Sequence, residues 1–131
     1  MARLLVVEDD PDVRDLISMR LVMVGHRVIA MPDADLALDS VEQFGAPDAY
    51  VLDVGLPGMD GFTLLGRLRE NIKNRVPAIF VSASALERDI IRGRALGAAY
   101  LTKPFAAYEL LDAVDEAITG RPIPPVTEHA W

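Results

Sequence analysis

Five short apolar runs limit what this chain can fold into more than any other feature. They span residues 3–7, 27–31, 48–52, 78–81 and 99–101. Each is continuous rather than alternating, the pattern of strands buried on both faces in a parallel sheet. Segments of helical period lie between them. Val13, Leu16, Ile17, Leu21 and Val24 recur at helical spacing after Pro11, with Asp10 placed to cap the first turn and Gly25 to close the helix. Pro32 and Asp33 open a second helix with Leu36, Val41 and Phe44 on its apolar face and Gly45 at its end. Phe62, Leu64, Leu65, Leu68 and Ile72 mark a third. A fourth, weaker helix runs from Leu86 to Leu96 and ends at Gly97. Gly93 inside it is expected to cost about 1 kcal/mol against alanine. Leu110, Leu111, Val114 and Ile118 define the last helix, closed by Gly120.

Strands alternating with helices predict an α/β domain around a parallel sheet, and right-handed crossovers leave few topologies. The chain has 131 residues, which suits one domain. Residues 1–120 form that domain. Residues 121–131 carry Pro122, Pro124 and Pro125 and read as an extended tail or the stub of a linker. The absence of cysteine excludes a disulfide framework or a thiolate metal site. A net charge of -7 argues against direct nucleic-acid binding by this chain. No apolar run approaches the roughly 18 residues of a membrane span. The start, Met1-Ala2-Arg3, leaves no room for a signal peptide, so a soluble, cytoplasmic protein is expected.

Doubly wound sheets bind ligands beyond the carboxyl ends of their strands. The first run ends at Glu8, Asp9 and Asp10, the third at Asp53, the fourth at Ser82 and the fifth at Lys103. The second ends without a reactive group, as an edge strand would. In the flavodoxin-like order 2-1-3-4-5, strands one and three are neighbours, which brings the acidic group to Asp53 at the switch point. Two carboxylates about 4 Å apart repel by roughly 4 kcal/mol at an effective dielectric near 20. Such a cluster calls for a hard divalent cation with oxygen ligands, and Mg²⁺ is the natural one. Lys103 adds a positive charge and Ser82 a hydroxyl donor. Together they describe a receptacle for a phosphoryl group, with Asp53 as a nucleophile able to form an acyl phosphate.

Four motifs carry a resemblance. They are Val6-Val7-Glu8-Asp9-Asp10, the stretch from Leu52 and Asp53 through Gly55, Pro57, Gly58 and Asp60 to Gly61, Val81-Ser82-Ala83, and Leu101-Thr102-Lys103-Pro104-Phe105. From residue 3 to about 119 the chain resembles a CheY-like response-regulator receiver domain of two-component signalling. The resemblance implies a (βα)5 fold with a five-stranded parallel sheet in the order 2-1-3-4-5. It implies that Asp53 accepts the phosphoryl group and that Glu8 and Asp9 hold Mg²⁺, with Asp9 the direct ligand and Asp10 left as a helix cap. Gly55 would add its backbone carbonyl to the metal shell. Ser82 would be the switch hydroxyl, with Ala83 leaving room for the phosphoryl group, and Lys103 the phosphate-binding lysine before a cis proline. Tyr100 would be the aromatic switch that turns inward on phosphorylation. The turn from Gly97 to Tyr100 departs from the family: it is one residue shorter and lacks the acidic residue of a charged dimer face.

A phosphorelay switch follows from the resemblance. A sensor histidine kinase or histidine phosphotransfer protein supplies the phosphoryl group, and a downstream effector reads the changed surface. Such a protein is no enzyme beyond catalysing its own phosphorylation and dephosphorylation. A small aspartyl-phosphate phosphatase or phosphotransferase is the alternative, but Gly55 stands where its second acid belongs. A receiver excised from a longer transcriptional regulator is the other alternative. Met19, Val22 and Met23 lie off the main stripe of the first helix, a surface suited to a partner helix from the phosphodonor.

Overall fold

The structure is a computed structural model that describes residues 1–70 and 76–120. Ile72 and the tail at 121–131 lie outside the described residues. Strands β1 (Arg3–Val7), β2 (Arg27–Met31), β3 (Ala49–Asp53), β4 (Ala78–Ser82) and β5 (Ala99–Thr102) form one sheet in the order β2-β1-β3-β4-β5. Every pairing is parallel. Helices α1 (Pro11–Met23), α2 (Ala34–Phe44), α3 (Gly61–Glu70), α4 (Glu87–Ala95) and α5 (Ala107–Thr119) follow the strands in turn. This is the flavodoxin-like (βα)5 architecture expected from the sequence. Strand β3 begins and ends one residue later than expected, so Asp53 closes the ladder rather than following it.

Continuous apolar strands are explained by two cores. Leu5, Val7, Tyr50, Leu52 and Phe80 face Ala37, Leu64, Leu65 and Leu68 on one side. Leu4, Val6, Val51, Ile79 and Val81 face Ile17, Leu21, Leu110 and Val114 on the other. Each strand alternates its side chains between two buried faces, so both parities must be apolar.

The helix starts follow their polar caps. The Asp10 carboxylate accepts from the amides of Asp12 and Val13, and that of Asp33 from Leu36. Asp60 caps α3 through the Thr63 amide, and Glu109 reaches back to the amide of Ala106 ahead of α5. Two helices bury only part of the stripe their large residues suggest. In α2, Leu36 and Phe44 are exposed, while Ala34, Ala37 and Ser40 are buried. Small side chains are what a closely seated helix presents to a sheet. In α1, Ile17 and Leu21 are buried, but Leu16 and Val24 join Met19, Val22 and Met23 on the surface.

Gly93 has a packing role. A Cβ there would lie 2.9 Å from Tyr100 Cδ2 and 3.1 Å from Phe80 Cδ2. The glycine lets α4 settle on two aromatic rings, and Arg92 on the same helix stacks 4.6 Å from the centre of the Phe62 ring. Among the described residues, no helix is long and apolar enough to cross a membrane.

Candidate phosphoryl-acceptor site

Parallel register assembles the site. Val7 pairs with Leu52, so Glu8 and Asp53 follow side by side. Asp53 pairs with Val81, one residue before Ser82. Ser82 pairs with Thr102, and the amide of Lys103 extends that ladder by donating to the Ser82 carbonyl at 2.7 Å. Thus Glu8, Asp53, Ser82 and Lys103 all stand at the carboxyl edge of the sheet. The Lys103–Pro104 bond is cis.

Asp53, Glu8 and Ser82 are buried. Asp53 Oδ1 accepts the Gly55 amide at 3.1 Å, and Oδ2 lies 3.4 Å from Lys103 Nζ. Lys103 Nζ also donates to Glu8 Oε1 at 2.5 Å. Glu8 Oε2 takes the amide of Asp10, and its backbone carbonyl accepts from Arg14 Nη1 at 2.9 Å. Burial, reinforced by the neighbouring Asp53 carboxylate, pushes the Glu8 pKa up to about 7 against the pull of Lys103. For Lys103, burial opposes the charge, but the Glu8 hydrogen bond and the Asp53 carboxylate outweigh it and raise its pKa.

Glu8, Asp9 and Asp53 each offer a carboxylate oxygen, all within 4.8 Å of one another. An all-oxygen donor set of this size suits a hard divalent cation. Asp9 is exposed, and its carboxylate makes no hydrogen bond among the described residues, so it is the acid open to an incoming hydrated ion. Gly55 is exposed beside Asp53. Gly61 lets the loop after β3 fold back: a Cβ there would collide with the Asp53 carbonyl oxygen and lie 3.0 Å from Val54 Cα.

Ser82 Oγ accepts the Ser84 amide at 3.0 Å, and Ala83 is exposed beside it. The half-buried Tyr100 already has its ring against the Gly93 backbone, and its hydroxyl donates to the Ser84 carbonyl at 2.9 Å. Sequence reasoning missed Arg14 and Ser84. Arg14 meets the Glu8 carbonyl, and the Ser84 amide and carbonyl meet Ser82 and Tyr100, contacts to backbone groups that leave no mark in the pattern of side-chain types.

A buried acid at a parallel-sheet switch point, with two acids, a hydroxyl and a lysine at the same sheet edge, is the arrangement expected of a signalling receiver domain. The chain belongs to the response regulator receiver domain family, which matches residues 4–115. It is 44% identical over 117 residues to an uncharacterized 14.6 kDa protein of Leptolyngbya boryana, covering 86% of this chain and 87% of that one. It is 41% identical over 125 residues to the transcriptional regulatory protein TcrA of Mycobacterium tuberculosis, covering 93% of this chain but 48% of TcrA. It therefore spans about half the length of that regulator. The receiver domain of Francisella response regulator 1452 superposes with a TM-score of 0.82 at 30% identity, covering 92% of this chain and 98% of that one. Receiver domains are signalling proteins and generally bind Mg²⁺.

Proposed function

We propose that Asp53 is the phosphoacceptor of a two-component phosphorelay, charged by a sensor histidine kinase or a histidine phosphotransfer protein. The observation that carries this reading is the buried Asp53 carboxylate held between Lys103 and the Glu8–Asp9 pair. An Asp53 oxygen attacks phosphorus, a P–O bond forms and the P–N bond to the donor imidazole breaks. The electron pair of that bond stays on the leaving nitrogen. Lys103 and the Ser82 hydroxyl meet the charge on the phosphoryl oxygens. Asp9, Glu8, Asp53 and the Gly55 carbonyl would hold Mg²⁺, which neutralises charge on the transferring oxygens when bound.

The transfer is the protein's own catalysis, without turnover of a diffusible substrate. Hydrolysis of the acyl phosphate resets it. Phosphorylation changes the charge beside Ser82, and Ser82 and Tyr100 transmit that change to α4, whose surface a downstream effector reads. Residues 1–120 carry this function, with 121–131 as a tail beyond it, and a cytoplasmic setting accords with it.

With acetyl phosphate and Mg²⁺, intact-mass measurement should show one phosphoryl adduct on the wild-type protein and none on Asp53→Asn. An undiminished adduct on Asp53→Asn would remove Asp53 from the role.

A further inference from the structure

Ser84 has every polar group engaged. Its amide donates to Ser82 Oγ at 3.0 Å. Its carbonyl accepts the Tyr100 hydroxyl at 2.9 Å. Its hydroxyl accepts the Leu86 amide at 3.3 Å and donates to Asp89 Oδ2 at 2.6 Å. The residue thus joins three things: the hydroxyl beside the phosphoacceptor, the aromatic ring seated on Gly93, and the first turn of α4. With the Ser84 amide satisfying a lone pair of Ser82 Oγ, the Ser82 hydroxyl hydrogen is left for an acceptor in the site. Asp89 is the only carboxylate bonded to this loop among the described residues, and a charged acceptor makes the stronger hydrogen bond.

We propose that Asp89 is a positioning residue for the switch: through the Ser84 hydroxyl it holds the β4–α4 loop in the arrangement that orients Ser82 toward a phosphoryl group and keeps Tyr100 inside. Asp89 touches neither Asp53 nor the phosphoryl group and works entirely through Ser84. Three outputs of one backbone segment then depend on one carboxylate on the helix that is read downstream. When α4 moves, the Asp89 contact is released, and Ser82 and Tyr100 are released with it. The coupling runs in both directions, so an effector that seizes α4 alters the phosphorylation site by the same factor. This inference rests on the phosphoacceptor reading.

The test uses protein labelled with 3-fluorotyrosine, with the Tyr100 and Tyr108 signals assigned by Tyr→Phe variants. In Mg²⁺ alone, the fluorine resonance of Tyr100 should stay distinct from that of exposed Tyr108 in the wild type and in Ser84→Thr, which keeps the hydroxyl. It should move toward the Tyr108 position in Asp89→Ala and Ser84→Ala. The beryllium fluoride concentration for half-saturation should rise about fivefold in both alanine variants, the size expected for one hydrogen bond. The double variant should be no worse than Ser84→Ala alone, since that substitution already removes the contact that Asp89→Ala removes. An unchanged Tyr100 resonance with unchanged half-saturation would overturn the proposal, even if α4 lost thermal stability as it would on losing a simple cap. A wild type that binds no beryllium fluoride would instead overturn the phosphoacceptor reading. The Tyr100 resonance in Mg²⁺ alone would still report on the Asp89 contact.

Discussion

Glu8 and Asp53 share one lysine, and burial makes Glu8 hold a proton more readily than a free acid does. Glu8 is 1% exposed and lies beside a second carboxylate, so its pKa is raised to about 7 from 4.5. The folded protein then binds a proton at Glu8 that the unfolded chain has released between those two values. The associated stability is present below about pH 4.5 and is lost as pH rises through 7. In Mg²⁺-free buffer, Glu8→Gln should therefore gain thermal stability relative to wild type as pH is raised from about 5 to about 8. Parallel pH profiles for the two proteins would show that Glu8 titrates as an ordinary acid. The residues of the site were legible because each is a polar side chain stranded at the end of an apolar run. Their mutual bonds were not. That Lys103 reaches past Asp53 to Glu8 depends on side-chain paths over the sheet edge, which spacing along the chain does not record.

At the scale of elements, large apolar residues served well for strands and less well for helices. A strand between two cores leaves no choice of face, so the runs marked every strand to within a residue. A helix seated on a sheet chooses by fit. In α2 the fit is made by Ala34, Ala37 and Ser40, while Leu36 and Phe44 face outward. Gly93 in α4 shows the same limit. Helix propensity sees a cost of about 1 kcal/mol, but close approach to Tyr100 and Phe80 requires the missing side chain. Gly93→Ala should recover that propensity and incur overpacking of roughly 1–3 kcal/mol. Urea denaturation should thus show a net loss of about 1 kcal/mol. A stabilised variant would mean that the two rings retreat without penalty.

Across the whole molecule, the parallel order draws the site from strands far apart in the chain: Glu8 and Lys103, bonded directly, are separated by 95 positions. No local segment can rehearse this arrangement. Acyl-phosphate formation should therefore disappear at the same urea concentration as far-ultraviolet circular dichroism, as in a two-state transition. Activity lost well before the helical signal would show that the sheet edge opens on its own. The same arrangement bears on synthesis at the ribosome. Asp53 leaves the exit tunnel well ahead of Lys103. At roughly 5–20 residues per second, the nascent chain spends some seconds with Asp53 made but its lysine absent. During that interval the acidic cluster has no lysine beside it, so on the phosphoacceptor reading a half-made chain holds no phosphoryl group.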